Sequence, residues 1–155
     1  MEIRRAGTVA EVAAAEYLFD NPMRTEWAER FLAAPGHHLF LAYENADGES
    51  GEGGKGGGGG TGVEVPVGFV SGVETVHPDK GTEMLLYELE VAEPYRRRGI
   101  GRALVRRLAA LGRELGCYGM WVLVDAGNDV ALAAYRSAGG KDDGTCSVVT
   151  WDFST

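Results

Sequence analysis

Cysteine is scarce in this chain of 155 residues, which contains only Cys117 and Cys146. A disulfide framework needs several cysteine pairs, and a structural zinc site needs closely spaced ligands. Two isolated cysteines therefore predict neither, and we expect two reduced, partly buried thiols. No metal site is predicted from the histidines either, because they show no ligand spacing.

Long apolar runs are also missing. No stretch reaches the roughly 20 residues that a membrane-spanning helix needs, and the charged start at Glu2, Arg4 and Arg5 is unlike a secretory signal. We therefore expect a cytoplasmic protein without a membrane partner. The length and the hydrophobic fraction of 45% suit a single domain over residues 1–155 with a core of its own.

Positive charge is sparse outside one segment. Seven arginines and no acid lie in 96–113, whereas the rest of the chain carries 8 basic and 23 acidic residues. A concentrated positive patch on an acidic chain fits a small polyanion bound at one place. It argues against a nucleic-acid partner wrapped along the surface. The acidic remainder either attracts cationic partners or serves solubility.

The apolar patterning predicts elements in the order β α α β β β α β α β. Thr8 and Glu11 suggest a capping box, Asn21-Pro22 suggests the start of the second helix, and Gly116 suggests the end of the third. The order predicts an α+β domain in which helices cover a mixed sheet. The expected strands are 2–5, 38–43, 63–76, 83–92, 118–124 and 147–153, and the expected helices are 8–18, 22–33, 99–115 and 128–138.

A glycine-rich segment over 44–62 separates two of these strands. Its composition cannot bury enough apolar area to order it, so it predicts a flexible surface loop within the domain. A phosphate-binding P-loop would need Ser or Thr after its lysine, and Lys55 is followed by Gly56. We assign this segment no nucleotide role.

A phosphate-binding pattern does occur where the strand 83–92 leads into the helix 99–115. Arg96-x-x-Gly99-x-Gly101 opens this helix, whose first N–H groups lack partners and lie at the positive end of the helix dipole. Glycines allow close approach of the backbone, and arginines add charge, so the pattern predicts a diphosphate site. The alternative is a tight turn with a solvated basic face. A Rossmann fold is excluded because Leu104 stands where the third glycine is required.

The residues around this pattern resemble the first signature of the GNAT superfamily of N-acetyltransferases. That resemblance covers Leu89-Glu90-Val91, Pro94-Tyr95-Arg96 and Arg98-Gly99-Ile100-Gly101-x-Ala103-Leu104, and Asn128-x-x-Ala131-x-x-x-Tyr135-x-x-x-Gly139 resembles the second signature. It implies the GNAT fold, a mostly antiparallel sheet with a splayed central parallel pair flanked by about four helices. It also implies acetyl-CoA, or CoA, as the cofactor and an N-acetyltransferase activity.

Within the superfamily, residues 87–91, 115–118, 124–129 and 134–135 resemble the type I aminoglycoside 3-N-acetyltransferase branch. The chain departs from this branch in two ways, since the branch typically has Asp in place of Glu88 and lacks the glycine-rich loop. The branch implies a cationic antibiotic as the acceptor and antibiotic resistance as the role. The two departures concern this acceptor more than the chemistry.

The superfamily resemblance implies a role for each matching residue. The strand 87–91 would splay from 118–124, and the pantetheine arm would lie between them, beside the main chain of Leu89 and Val91. Asn128 would contact the arm, and Tyr135 would protonate the leaving thiolate. The implied cofactor-binding residues are Leu89, Glu90, Val91, Arg96, Arg97, Arg98, Gly99, Ile100, Gly101, Arg102, Asn128 and Tyr135.

Amine acetylation also needs a carboxylate that binds the protonated amine and accepts a proton. Glu88 is the leading candidate, because it lies on the predicted central strand three residues before Val91, where many amine-acetylating members of the superfamily that the chain resembles carry an acid. Strand alternation places Glu88 and Glu90 on the face opposite Tyr87 unless a bulge intervenes. Asp125 is a further candidate for substrate binding, although it could instead cap the following helix. For Tyr135, the alternative to the acid role is simple packing on the sheet. We therefore predict Tyr135 and Glu88 as catalytic, and Glu88, Asp125 and Glu90 as substrate-binding.

Three functions stay open at this point. The favoured one is direct acetylation of a small cationic amine, an aminoglycoside among the candidates, in a ternary complex. The second is acetylation of a protein N-terminus or lysine, and the third is a catalytically silent acetyl-CoA sensor, against which the joint presence of Glu88, Asn128 and Tyr135 speaks. A homodimer could form through the predicted strand 147–153.

Overall fold

A five-stranded sheet organises the chain, whose computed structural model describes residues 1–46 and 62–154. The strands lie in chain order: β1 (Glu2–Arg5), β2 (His37–Asn45), β3 (Glu64–His77), β4 (Gly81–Val91) and β5 (Met120–Trp121). Neighbours pair antiparallel except β4 and β5, which are parallel. The helices are α1 (Val9–Ala14), α2 (Thr25–Ala33), α3 (Ile100–Glu114) and α4 (Asp129–Ser137), with 3₁₀ turns at Glu16–Leu18 and Glu93–Tyr95. The predicted α+β class is confirmed.

Apolar clusters cover both faces of the sheet. On one face, α3 presents the residues that recur at helical spacing in its sequence, and on the other face, α1, α2 and the first 3₁₀ turn cover the sheet. Burial of one such large apolar side chain contributes about 1.5–3 kcal/mol. The α3 cluster includes Phe40, Val70, Met84, Leu86, Ile100, Leu104 and Leu108, and the opposite cluster includes Val12, Leu18, Leu39, Leu41 and Phe69.

A β-bulge in β4 decides which side chains share a face. Successive pairings to β3 involve Glu88 and then Leu86, so Tyr87 is an extra residue opposite none. Leu86 and Leu89 consequently both pack on the α3 side, and alternation from Leu89 directs Glu88 and Glu90 to the other face. The simple alternation expected for 87–91 therefore ends at the bulge, and Tyr87 is mostly exposed.

A second bulge lies in β3, where Ala42 of β2 pairs with Gly68 and Tyr43 pairs with Pro66. Val67 is the extra residue, and it packs in the α3 cluster whereas Phe69 packs in the opposite one. Both side chains are buried, but they lie on opposite faces of the sheet, because the bulge reverses the alternation between them.

The helix boundaries at the N-terminal end differ in part from the prediction. The capping box is confirmed, since Thr8 Oγ1 accepts from the Glu11 N–H and Glu11 Oε2 accepts from the Thr8 N–H. The first α-helix ends at Ala14 rather than residue 18. The predicted start of the second helix at Asn21-Pro22 is wrong, because 19–23 is a loop closed by the Met23 N–H, which donates to Glu16 Oε2.

The C-terminal part of the chain contains less strand than predicted. The strand expected over 118–124 is reduced to two residues, and the strand predicted over 147–153 is wrong, since 140–154 contains no helix or strand. Its alternating apolar pattern is typical of a strand, but a strand exists only where its backbone finds a partner. The glycine-rich loop predicted over 44–62 begins after Asn45, and residues 47–61 lie outside the described residues.

No helix in the described ranges 1–46 and 62–154 is long and apolar enough to cross a membrane.

Candidate active site

The turn between β4 and α3 presents backbone N–H groups without a capping side chain. Gly99 is the N-cap of α3, with φ 80°, and Arg97 has φ 62°, so both adopt the left-handed region. Because this N-cap is a glycine, it has no side chain that could accept a hydrogen bond from the N–H groups of the first helical turn. The amides that open α3, at Ile100, Gly101 and Arg102, therefore suit an anion at the positive end of the helix dipole.

The arginines of this turn differ in what they contact. Arg98 reaches Glu44 at 3.3 Å and lies over the ring of Tyr95, 5.3 Å from its centroid. Arg97 and Arg102 are exposed, and neither takes part in an ion pair within the described part of the chain. These two side chains are available to a phosphate, whereas Arg98 helps to fix the turn against β2.

Leu85 is the last residue of β4 that pairs with β5, and beyond it no strand of the described ranges pairs with this edge of β4, which we call the open edge. On the opposite edge, the Ala92 N–H donates to Val67 O at 2.8 Å. Because peptide groups alternate between the edges of a strand, the N–H and C=O of Val91 and Leu89 point toward the open edge. The structure thus shows a parallel pair whose pairing ends at Leu85, in agreement with the splayed pair that the GNAT resemblance implied.

Glu90 and Arg96 cover the main chain of Val91 at this edge. The Val91 N–H donates to Glu90 Oε1 at 2.9 Å, and Arg96 Nη2 donates to the same oxygen at 2.9 Å. Arg96 Nε donates to Val91 O at 2.8 Å. Three predicted cofactor-binding residues therefore contact one another.

Glu88 lies among other acids on the face opposite α3. Burial raises the pKa of Glu88, and the charges of Asp20 and Glu90 raise this pKa further. Asp20 follows Phe19, whose ring meets the Phe69 ring edge-on with centroids 5.0 Å apart. Phe69 pairs with Glu90 across the sheet, so this aromatic contact brings the loop over the acids of β4. Nothing in the sequence distinguished Asp20 from the other acids.

Tyr135 lies on the α3 side of the sheet. It is half-buried on α4 and packs against the α3 cluster, as do Leu89 and Val91. Burial raises the pKa of Tyr135, so its phenol keeps its proton at neutral pH. Glu88 and Tyr135 therefore belong to opposite faces of the sheet, on either side of the open edge of β4.

Asn128 and Asp125 lie in the connection between β5 and α4. Asn128 is the N-cap of α4, and its Oδ1 accepts from the Ala131 N–H at 3.1 Å. The Asn128 N–H donates to Asp125 O at 3.0 Å. Asp125 itself is exposed and does not cap α4, so the alternative capping role predicted for it falls to Asn128.

Within the described ranges, no group of three or more His, Cys, Asp or Glu residues could hold a metal ion. Both cysteines are free, with Cys117 half-buried and Cys146 exposed rather than partly buried.

The open strand edge and the uncapped helix agree with a family assignment that covers most of the chain. Residues 8–139 match the model of the acetyltransferase (GNAT) family. The chain belongs to the GNAT family. The prediction of the GNAT superfamily is thereby confirmed, and this family is one of acetyltransferases.

The proteins that this chain resembles are named for different acceptors. Streptothricin acetyltransferase of Streptomyces lavendulae is 36% identical over 96 residues, which are 61% of this chain and 51% of that relative, so the match spans about half of its length. Aminoglycoside N-acetyltransferase AAC(6')-Iy, solved in complex with CoA, superposes with a TM-score of 0.72 at 18% identity over 97% of this chain and 99% of its own.

A second solved structure is a ribosomal-protein-alanine N-acetyltransferase from Brucella melitensis biovar Abortus 2308. It has a TM-score of 0.68 at 17% identity and covers 97% of this chain and 100% of its own. At such identities, the two structures establish a shared fold.

Proposed function

We propose that this GNAT protein transfers the acetyl group of acetyl-CoA directly to a small cationic amine while both are bound beside β4. The observation that carries the proposal is the open edge of β4, which has Glu88 on one side and Tyr135 on the other. An acid on the amine side and a protonated phenol on the thiol side are the two groups that such a transfer uses.

The described residues fit coenzyme A. The first turn of α3 suits the pyrophosphate, with Arg97 and Arg102 as additional cations, and the outward peptide groups of Leu89 and Val91 suit the amide-bearing arm. The side-chain nitrogen of Asn128 is left for the same arm, because only its oxygen caps α4. The bound coenzyme supplies an acetyl thioester, and the protein supplies alignment and proton transfer.

Glu88 is proposed to receive the amine. An amine arrives protonated at neutral pH, and a carboxylate both attracts it and takes its proton, directly or through water. The raised pKa of Glu88 makes this carboxylate a stronger base than an ordinary one. Glu90 and Asp125 are proposed to add to the binding of a substrate that carries several positive charges.

Tyr135 is proposed to protonate the departing thiolate. Burial raises the pKa of its phenol, so the proton is present when the carbon–sulfur bond breaks. Tyr135 packs with Leu89 and Val91, which line the same open edge. The phenol is thus held on the side of the sheet away from Glu88, and one group does not neutralise the other.

The acids around Glu88 favour a small cationic acceptor over a protein acceptor. The similarity to a streptothricin acetyltransferase and to an aminoglycoside N-acetyltransferase supports the same choice. The ribosomal-protein-alanine acetyltransferase supports the protein alternative by fold alone. For an aminoglycoside, we propose the 3-amino group, on the basis of the branch that residues 87–91 and 124–129 resemble.

Thiol release from acetyl-CoA tests this function. The acceptors are streptothricin, a panel of aminoglycosides, linear polyamines, and peptides with a free N-terminal alanine or an internal lysine. We expect release with at least one cationic small molecule and a monoacetylated product, whose position NMR identifies. Release with peptides alone would establish the protein alternative, and CoA binding without release to any amine would leave the silent sensor.

We also propose that two copies associate through their C-terminal segments. The outer edge of β5 pairs with no strand within the described ranges. In the same chain, Val148, Val149, Trp151 and Phe153 are 68% to 89% exposed. An open strand edge and an unpaired, alternating apolar segment are complementary, and a second copy provides both at once.

A further inference from the structure

We propose that Glu90 and Arg96 form a latch over Val91 that occupies the coenzyme-arm site in the ligand-free protein and opens when coenzyme A binds. The latch consists of three hydrogen bonds: Val91 N–H to Glu90 Oε1, Arg96 Nη2 to Glu90 Oε1, and Arg96 Nε to Val91 O, all between 2.8 and 2.9 Å. The inference rests on the proposed function and adds a competing internal ligand to it.

The chemistry of the latch imitates that of the expected ligand. A carboxylate oxygen accepts from the Val91 N–H where a carbonyl oxygen of the coenzyme would accept. A guanidinium N–H donates to Val91 O where an amide N–H of the arm would donate. A backbone N–H makes one well-aligned hydrogen bond at a time, so the latch and the arm exclude each other at Val91.

The latch is built to open. The side chains of Glu90 and Arg96 are 39% and 54% exposed, so water screens their ion pair and replaces its hydrogen bonds readily. By contrast, a fully buried pair would resist separation. The open edge of β4 can therefore stay covered without the coenzyme and still yield to it.

Opening gives both side chains a second position. Arg96 is released next to the turn that holds Arg97 and the first amides of α3, where it faces the expected pyrophosphate. Glu90 is released on the face that carries Glu88 and Asp20, where it adds a negative charge for the amine. Coenzyme binding would thus strengthen amine binding, and by linkage the amine would strengthen coenzyme binding equally.

The test compares Glu90→Ala with the wild-type protein and with Glu93→Ala as a matched control. Glu93 is an exposed acid three residues further along, so its loss removes the same charge without touching Val91. Two probes are titrated, CoA by calorimetry and uncharged pantetheine by amide NMR. Pantetheine is insensitive to simple charge removal, and it therefore reports competition at Val91.

We expect Glu90→Ala to bind pantetheine about 3- to 10-fold more tightly than the wild type, which corresponds to the loss of one competing hydrogen bond. Glu93→Ala should bind pantetheine as the wild type does. Glu90→Gln, which preserves the size of the side chain and one acceptor, should lie between the two. In the ligand-free protein, the Val91 amide should exchange with solvent faster in Glu90→Ala than in Glu93→Ala.

Unchanged or weaker pantetheine binding by a folded Glu90→Ala would overturn the latch, as would an equal gain in Glu93→Ala. Either result would leave the proposed function standing, since the wild type would still bind CoA. A wild-type protein that binds neither probe would overturn the proposed function itself. The exchange rate of the Val91 amide would then still show whether Glu90 covers the Val91 N–H.

Discussion

Glu88 is a residue whose proposed function opposes stability. Because the pKa of Glu88 is raised in the folded protein, protonation of this side chain favours the folded state. The gain in stability is complete below the pKa that Glu88 has in the unfolded chain, and it is lost as the pH rises through the pKa that Glu88 has in the folded protein. At pH 7 the ionised carboxylate therefore destabilises the fold. We expect Glu88→Gln to raise Tm at neutral pH by roughly 1–3 °C and to have no effect below pH about 3, where the carboxyl group is protonated in both the folded and the unfolded chain.

Thermal melts across this pH range check the expectation, with Glu29→Gln on the exposed side of α2 as the control. The same Glu88→Gln protein should lose acetyl transfer by about 10²- to 10⁴-fold, the usual contribution of a positioned acid or base. A drop in Tm at pH 7, or full activity, would show that Glu88 is an ordinary structural carboxylate.

The proposed acid role of Tyr135 can be tested separately from coenzyme binding. Tyr135→Phe keeps the ring that packs on the α3 cluster and removes the phenol. We expect kcat to fall by about 10²-fold or more, while the Kd of CoA stays within about twofold because the ring keeps its packing and only the contact of the phenol with the sulfur is lost. In the wild type, the raised pKa should keep kcat constant into the alkaline range, beyond the pKa of an ordinary tyrosine. An unchanged kcat would leave Tyr135 with packing alone.

At the scale of elements, local signals in the sequence were sufficient where one segment determines its own shape. The capping box of α1, the apolar stripe of α3 and the β3–β4 hairpin follow from neighbouring residues. The bulges at Val67 and Tyr87 do not, because a bulge is a property of two paired strands. For the same reason, the segment 147–153 has the pattern of a strand but no strand beside it.

The same distinction, between features set within one segment and features that need two segments, applies to the candidate site. The phosphate-binding turn is contiguous in sequence, so its spacing alone identified it. The acid at position 20 reaches Glu88 through an aromatic contact between distant segments, and the contacts among Glu90, Arg96 and Val91 depend on side-chain geometry. Such contacts leave no periodic or spaced signal, and only the folded chain reveals them.

The packing of α3 on the sheet depends on Gly72 of β3. A Cβ at this position would lie 2.6 Å from Leu108 Cδ1 and 3.0 Å from Met84 Sδ. Gly72→Ala must therefore displace the buried side chain of Leu108 on α3, at about 1–3 kcal/mol of unfolding free energy. Gly119→Ala is the matched control, because its Cβ would meet nothing within 4 Å. Urea unfolding should rank the control as the more stable protein, and equal stabilities would mean that the helix adapts freely.

Considered as a whole, the molecule exposes several large apolar side chains close together in sequence at its C-terminal end. Val148, Val149, Trp151 and Phe153 are mostly exposed, and the neighbouring edge of β5 has no partner within the described ranges. If two copies pair through these segments, the chain of 16.5 kDa should elute as a dimer in size-exclusion chromatography with light scattering.

Charges on the segment test this assembly directly. Trp151→Lys combined with Phe153→Lys should give a folded monomer, since two lysines facing the partner oppose strand pairing and remove the apolar contact. Val76→Lys, which changes an equally exposed valine at the end of β3, should leave the dimer intact. A wild-type monomer at about 100 µM, well above the micromolar Kd of even a weak specific interface, would contradict the assembly. A dimer that survives both lysines would locate the interface elsewhere.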